Sequence, residues 1–94
     1  MIYHIVSRES WDAALVQGEY RAPSLITEGF IHCSDEDQVM GSAERYYRGQ
    51  SGLVLLAIDE RRLTAPLKYE RLFPHIYGPL NLDAVASVTT FHAP

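Results

Sequence analysis

Leu53-Val54-Leu55-Leu56-Ala57-Ile58-Asp59, read as LVLLAID, runs six apolar residues together before its first charge. A short run of this kind, bounded by Gly52 and Asp59, reads as a strand. Because both of its faces are apolar, it must be covered on both sides, which places it at the centre of a sheet. The rest of the chain then has to supply the layers around it.

Upstream, IYHIV (Ile2 to Val6) is a second short strand, with Tyr3 and Ile5 on one face and Ile2, His4 and Val6 on the other. Ser7 or Ser10 caps the helix that follows, where Trp11, Ala14 and Leu15 recur at helical spacing and Gly18 supplies the stop. Phe30 to Cys33 forms another strand, placing Phe30 and His32 opposite Ile31 and Cys33. Ser34 is expected to cap a second helix, with Asp37 completing a capping box and Val39, Ala43, Tyr46 and Tyr47 as its apolar stripe. Downstream lie a short strand over Leu67 to Glu70, the Pro-bracketed stretch FPHIYGPL, and a closing strand from Ala84 to Phe91. Strand, helix, strand, helix, then several strands is the order of an α+β domain.

At 94 residues the chain makes one domain, 1–94, with room for a single core. Apolar residues make up 47% and charged residues 21%, as in soluble globular proteins, and the net charge of −4 argues against general binding to nucleic acid or to anionic membrane. No apolar run approaches a membrane span, and the N-terminus lacks the pattern of a signal peptide. One cysteine cannot form an internal disulfide, and the chain reads as cytoplasmic.

Chemistry-bearing residues are few. A nucleophilic Cys33 would need a lowered pKa, yet Asp35, Glu36 and Asp37 follow at once and alternation turns its side chain away from His32. Cys33 is therefore expected to be buried and inert. The same acids leave a phosphate little to gain at that helix start. There is no nucleophile elbow, and the histidines lack a local metal-ligand spacing, so no metal is expected. Histidines inside strands are the remaining signal. His4 and His32 lie on separate strands and His75 sits between two prolines beside Tyr77. They are either satisfied core groups or the lining of one cleft, where imidazole can orient a ribose hydroxyl or exchange protons near neutral pH.

Four ordered motifs, YHI near the start, PSLITEGFIHCS, YYRG and LFPHIYGPL, together resemble the bacterial family called domain of unknown function 952, over essentially the whole chain. That resemblance implies an ADP-ribosyltransferase-like fold, a split and largely antiparallel β-sheet with a cleft between its halves and two N-terminal helices. A more distant likeness is to the RNA 2′-phosphotransferases, whose YHGT strand, HLS strand end and VLL-D strand match YHIV, IHCS and VLLAID in order. It implies that His4 and His32 hold NAD or an ADP-ribose-like ligand. Departures are plain: Ile5-Val6 replaces the Gly-Thr pair, and only Glu70 stands near the place of a transferase catalytic acid.

The resemblance thus sets out two expectations. One is a transferase acting on or binding NAD, ADP-ribose or a phosphorylated ribose, with His32, His4 and Glu70 catalytic and Arg21, Tyr47, His75 and Tyr77 binding the ligand. The other is a non-catalytic module that binds a small molecule or a protein through the same cleft.

Overall fold

A computed structural model describes residues 1–94. The LVLLAID stretch is strand β4 (Leu53–Ile58), and it does lie between two neighbours: β1 (Ile2–Ser7) on one side and β8 (Val85–Phe91) on the other, both antiparallel. Val54, Leu56 and Ile58 are fully buried with Ile2 and Val6 in the main core. Leu53 on the opposite face packs with Ile5, Val39 and Ala43 in a smaller second cluster. Both faces are covered, which is why both had to be apolar.

A second three-stranded antiparallel sheet has the order β3 (Ile31–His32), β6 (Phe73–Ile76), β5 (Leu67–Glu70). Its ladder meets that of the first sheet at one isolated bridge, Tyr3 with Ser34, whose two backbone bonds are each 2.8 Å. A separate two-residue pair joins β2 (Glu19–Tyr20) to β7 (Leu80–Asn81). The architecture is mixed α+β with antiparallel pairing throughout. No helix is long and apolar enough to cross a membrane.

Helix α1 (Arg8–Gln17) starts where the Ser7 hydroxyl accepts from Ser10 N–H at 3.1 Å, and it sinks Trp11 and Ala14 into the core. Gly18, at φ 89°, ends it by donating to the Ala14 carbonyl. A one-turn helix, α2 (Ser24–Thr27), precedes β3. The start of α3 (Val39–Tyr46) corrects one expectation. Ser34 is bridged to Tyr3, and its hydroxyl pairs with that of Ser42 at 3.0 Å rather than with a backbone N–H of the helix start, so it is not the cap. The cap moves one residue on: the Gln38 side-chain oxygen accepts from Asp35 N–H at 2.8 Å, the reach-back half of a capping box, and a 3₁₀ turn over Glu36–Gln38 leads into α3. Val39 and Ala43 form the buried stripe, but Tyr46 points to solvent.

Pro74 stands inside the central strand β6, a position that proline seldom takes. Its carbonyl accepts from Cys33 N–H at 3.0 Å, so the ladder forgoes only the return bond. The β5–β6 hairpin turns through Arg71 and Leu72, at φ 52° and 74°, where glycine or asparagine is usual. Gln38 Nε2 donates to the Leu72 carbonyl at 2.9 Å and pins this turn to the start of α3.

Candidate functional site

Strand parity sorts the histidines into two places. On β3, Ile31 and Cys33 face the core, so His32 must face outward. Its direct cross-strand partner on β6 is His75, and Lys68 on β5 lies opposite His75 in turn. Residues opposite one another in an antiparallel pair share a face. The outer face of the second sheet therefore carries His32, His75, Lys68 and Glu70 together.

Phe30 completes this face. Its ring stacks flat on His75, with centroids 4.0 Å apart and planes 8° off parallel, and meets the edge of His32 at 4.7 Å. Ser24 holds the Phe30 backbone in place by donating to its carbonyl at 2.6 Å. The His32 and His75 rings are T-shaped to one another at 5.4 Å, and Tyr77 lies 5.4 Å from Phe30. Lys68 Nζ is 5.5 Å from the centre of the Tyr77 ring.

Each histidine has a carboxylate beside it. His32 Nε2–H donates to Glu28 at 3.0 Å, which leaves Nδ1 without a protein partner. His75 Nδ1 is 3.8 Å from Glu70, too far for a hydrogen bond, and it is the one buried side-chain nitrogen or oxygen in the chain with no partner. His75 is only 9% exposed. Burial first, and then neighbouring His32, hold its pKa below the usual imidazole value, against the opposing pull of Glu70 and Glu28. Partial burial and the Glu70 carboxylate raise the Tyr77 phenol.

His4 is elsewhere. It shares its face with Ile2 and Val6, turned into the core, and both ring nitrogens are engaged. The His32 carbonyl can only accept, so His4 Nδ1 carries the proton and donates to it at 2.6 Å. Nε2 is then the acceptor, and the Tyr20 hydroxyl donates to it at 2.8 Å. Burial pushes the His4 imidazole down to about 4 and the Tyr20 phenol well above its ordinary value. His4 thus touches the backbone of His32 without reaching the face that bears its ring.

The structure brings together His32, His75, Tyr77 and Glu70 from the expected set and leaves three others apart. His4 is core. Tyr47 packs against the second cluster and donates to the Ile5 carbonyl at 3.2 Å. Arg21 is exposed, with its guanidinium taken up by Glu19. Sequence reasoning missed Phe30, Glu28 and Lys68. Phe30 shares parity with His32 and could have been found, whereas Lys68 and Glu28 depend on pairing and on loop shape. Cys33 lies on the core side, 4% exposed, and burial raises its thiol to about 12. No group of three His, Cys, Asp or Glu side chains is placed as a metal ion requires.

Two shallow depressions lie outside this face. One is lined by Gly41, Glu44, Arg45 and Arg48 on the outside of α3. Another runs along Glu19, Thr64, Pro66 and Gly78 and touches the face only at Tyr77.

Residues 5–88 match the model of the DUF952 family, described as a protein of unknown function. Among solved structures, the chain is similar to the crystal structure of protein CC0527 from Caulobacter crescentus, with 38% identity and a TM-score of 0.88, over 97% of this chain and 85% of that one. The solution NMR structure of CC0527 aligns with a TM-score of 0.76 and 36% identity, over 95% and 82%. No curated protein matches. With 84 of its 94 residues inside the matched span, the chain belongs to the DUF952 family.

Proposed function

We propose that this chain binds a small ribose-bearing ligand, NAD, ADP-ribose or a phosphorylated ribose, on the outer face of the β3–β6–β5 sheet, and that His32 and His75 handle its protons in a transferase-type reaction. The observation that carries this reading is His75 Nδ1, buried and without a hydrogen bond. An unpaired buried polar group costs about 1–3 kcal/mol, and such groups are few in folded proteins. A ligand hydroxyl beside Glu70 would supply the missing partner on displacing the side chains that enclose this nitrogen, the stacked Phe30 ring among them.

The surrounding residues fit the same ligand class. Phe30 and Tyr77 offer rings for a flat base or a sugar face, and Lys68 offers a charge for phosphate in place of the Arg21 expected from the sequence. His75, with its lowered pKa, is neutral at neutral pH and serves as the proton acceptor. His32, oriented by Glu28 through Nε2, presents Nδ1. His4 acts on the site through the backbone, as a positioning residue that fixes the His32 carbonyl. Two antiparallel sheets meeting at one bridge between β1 and the end of β3 support the ADP-ribosyltransferase-like reading of the fold.

A second reading, binding without catalysis, is favoured by one observation: the Phe30 ring covers His75, but the His32 side chain is 54% exposed to water. Ligand-observed NMR against NAD, ADP-ribose and ribose 2′-phosphate tests the shared claim. At least one should give saturation transfer that is lost in His75→Phe and kept in Tyr46→Ala. No signal from any of the three, or a signal that survives His75→Phe, overturns it. Release of nicotinamide from NAD, followed by chromatography, separates turnover from binding.

A further inference from the structure

The joined sheets end in two edge strands that are treated differently. Strand β5 is four residues long and carries Lys68 and Glu70, which is how natural sheets discourage edge-to-edge pairing. Strand β8, VASVTTF, is seven residues long and contains neither charge nor proline. Ala86, Ser87, Val88, Thr89 and Thr90 are all exposed.

Register identifies which of its backbone groups are open. Arg8 N–H donates to the Gly52 carbonyl, so along β1–β4 the hydrogen-bonded pairs are Val6–Val54, His4–Leu56 and Ile2–Ile58. Leu53, Leu55 and Ala57 must then bond to β8, through Phe91, Thr89 and Ser87. The amides and carbonyls of Val88 and Thr90 therefore point away from the sheet. Past the register shift at Ala57/Ile58, Ala86 is the unpaired residue on that edge.

We propose that β8 is an interaction edge whose partner is a second copy of this chain, paired antiparallel about a two-fold axis at Val88. Val88 is the midpoint of Val85–Phe91. A two-fold axis there sets Val88 against Val88, Ser87 against Thr89, Ala86 against Thr90 and Val85 against Phe91. Every pair is uncharged, so two copies that each carry a net charge of −4 meet along a neutral strip. Val88, 37% exposed, would gain a β-branched partner of its own kind. A foreign extended peptide could use the same open groups, but only a second copy gives this side-chain symmetry.

Sedimentation velocity from micromolar to millimolar concentration should show a shift toward twice the monomer mass. Val88→Lys, which sets two like charges face to face at the axis, should abolish the shift while the far-ultraviolet spectrum stays folded. Val88→Cys provides an independent measurement, because hydrogen-bonded antiparallel neighbours are about 5.5 Å apart at Cα, within disulfide reach. With Cys33 buried, oxidation should cross-link Val88→Cys into dimers and leave Leu72→Cys monomeric. A wild type that stays monomeric at millimolar concentration with no Val88→Cys cross-link overturns the proposal. So does a dimer that survives Val88→Lys unchanged.

Discussion

His4 and His75 are both buried imidazoles, one on each side of the line where the two sheets meet, and the fold treats them in opposite ways. His4 has a carbonyl on one nitrogen and a phenol on the other, in a pocket otherwise made of core side chains. His75 is nearly as enclosed and stacks on Phe30, yet its Nδ1 bonds to nothing and a carboxylate stands just out of reach. A satisfied buried histidine is part of the architecture, since removing a partner leaves an orphan. An unsatisfied one holds stability in reserve. The difference separates a structural histidine from a site histidine without any appeal to their spacing in sequence.

The largest expected effect is on acid stability, and it belongs to His4. Folded His4 stays neutral down to about pH 4, while imidazole in the unfolded chain takes its proton near 6.5. Between those values the unfolded state holds more protons, so stability falls as pH drops through the window and levels off below it. The full swing is on the order of 3 kcal/mol. The lowered His75 adds to it in the same direction. Urea midpoints taken from neutral pH down to about 4 measure the slope, which should flatten in His4→Gln. An unchanged slope in that variant would mean that His4 is not the group responsible.

Next in size is Tyr20→Phe, which keeps the ring but leaves His4 Nε2 without its donor. It should cost about 1–3 kcal/mol in a thermal or urea melt. His75→Phe should go the other way. It preserves the stack on Phe30, removes the unbonded nitrogen and stabilises the protein by about 1 kcal/mol. Loss of stability in His75→Phe would break the contrast, because it would show a partner for that ring within the fold. Smallest is His32→Ala. Its side chain is 54% exposed and its bond to Glu28 is a surface pair, so the melt should move by no more than about 0.5 kcal/mol.

Much of the first sheet was legible because its signals are local. A stretch apolar on both faces had to be central, and Ser7 and Gly18 marked the two ends of α1 through their own chemistry. The face of His4 was legible too, since it shares parity with Ile2 and Val6, both core residues; the family likeness drew it toward a cleft that its neighbours argue against. Ser34 misled because a strand bridge thirty-one residues away holds its backbone, and no local pattern announces that bridge. The pairing of His32 with His75, and with it the place of Lys68, rests on a long-range register that sequence spacing does not encode. Glu28 reaches His32 only because the intervening loop folds back on itself, through the Ser24 bond to Phe30.

The single bridge between the two sheets bears on how the molecule opens. Apart from Tyr3 and Ser34, the backbone ladders on either side are closed within themselves, while the side chains of both halves share one core, Ile2 and Leu56 of the first sheet with Ile31 and Ile76 of the second, so the bridge is where a local opening of the backbone would start. In hydrogen exchange, the amides of Tyr3 and Ser34 should lose protection together, ahead of those in the middle of β4. Cys33 is the residue next to that bridge, and its side chain faces the interior. Each opening there would briefly bare its sulfur, so the rate at which a thiol reagent traps the native protein becomes a clock for it.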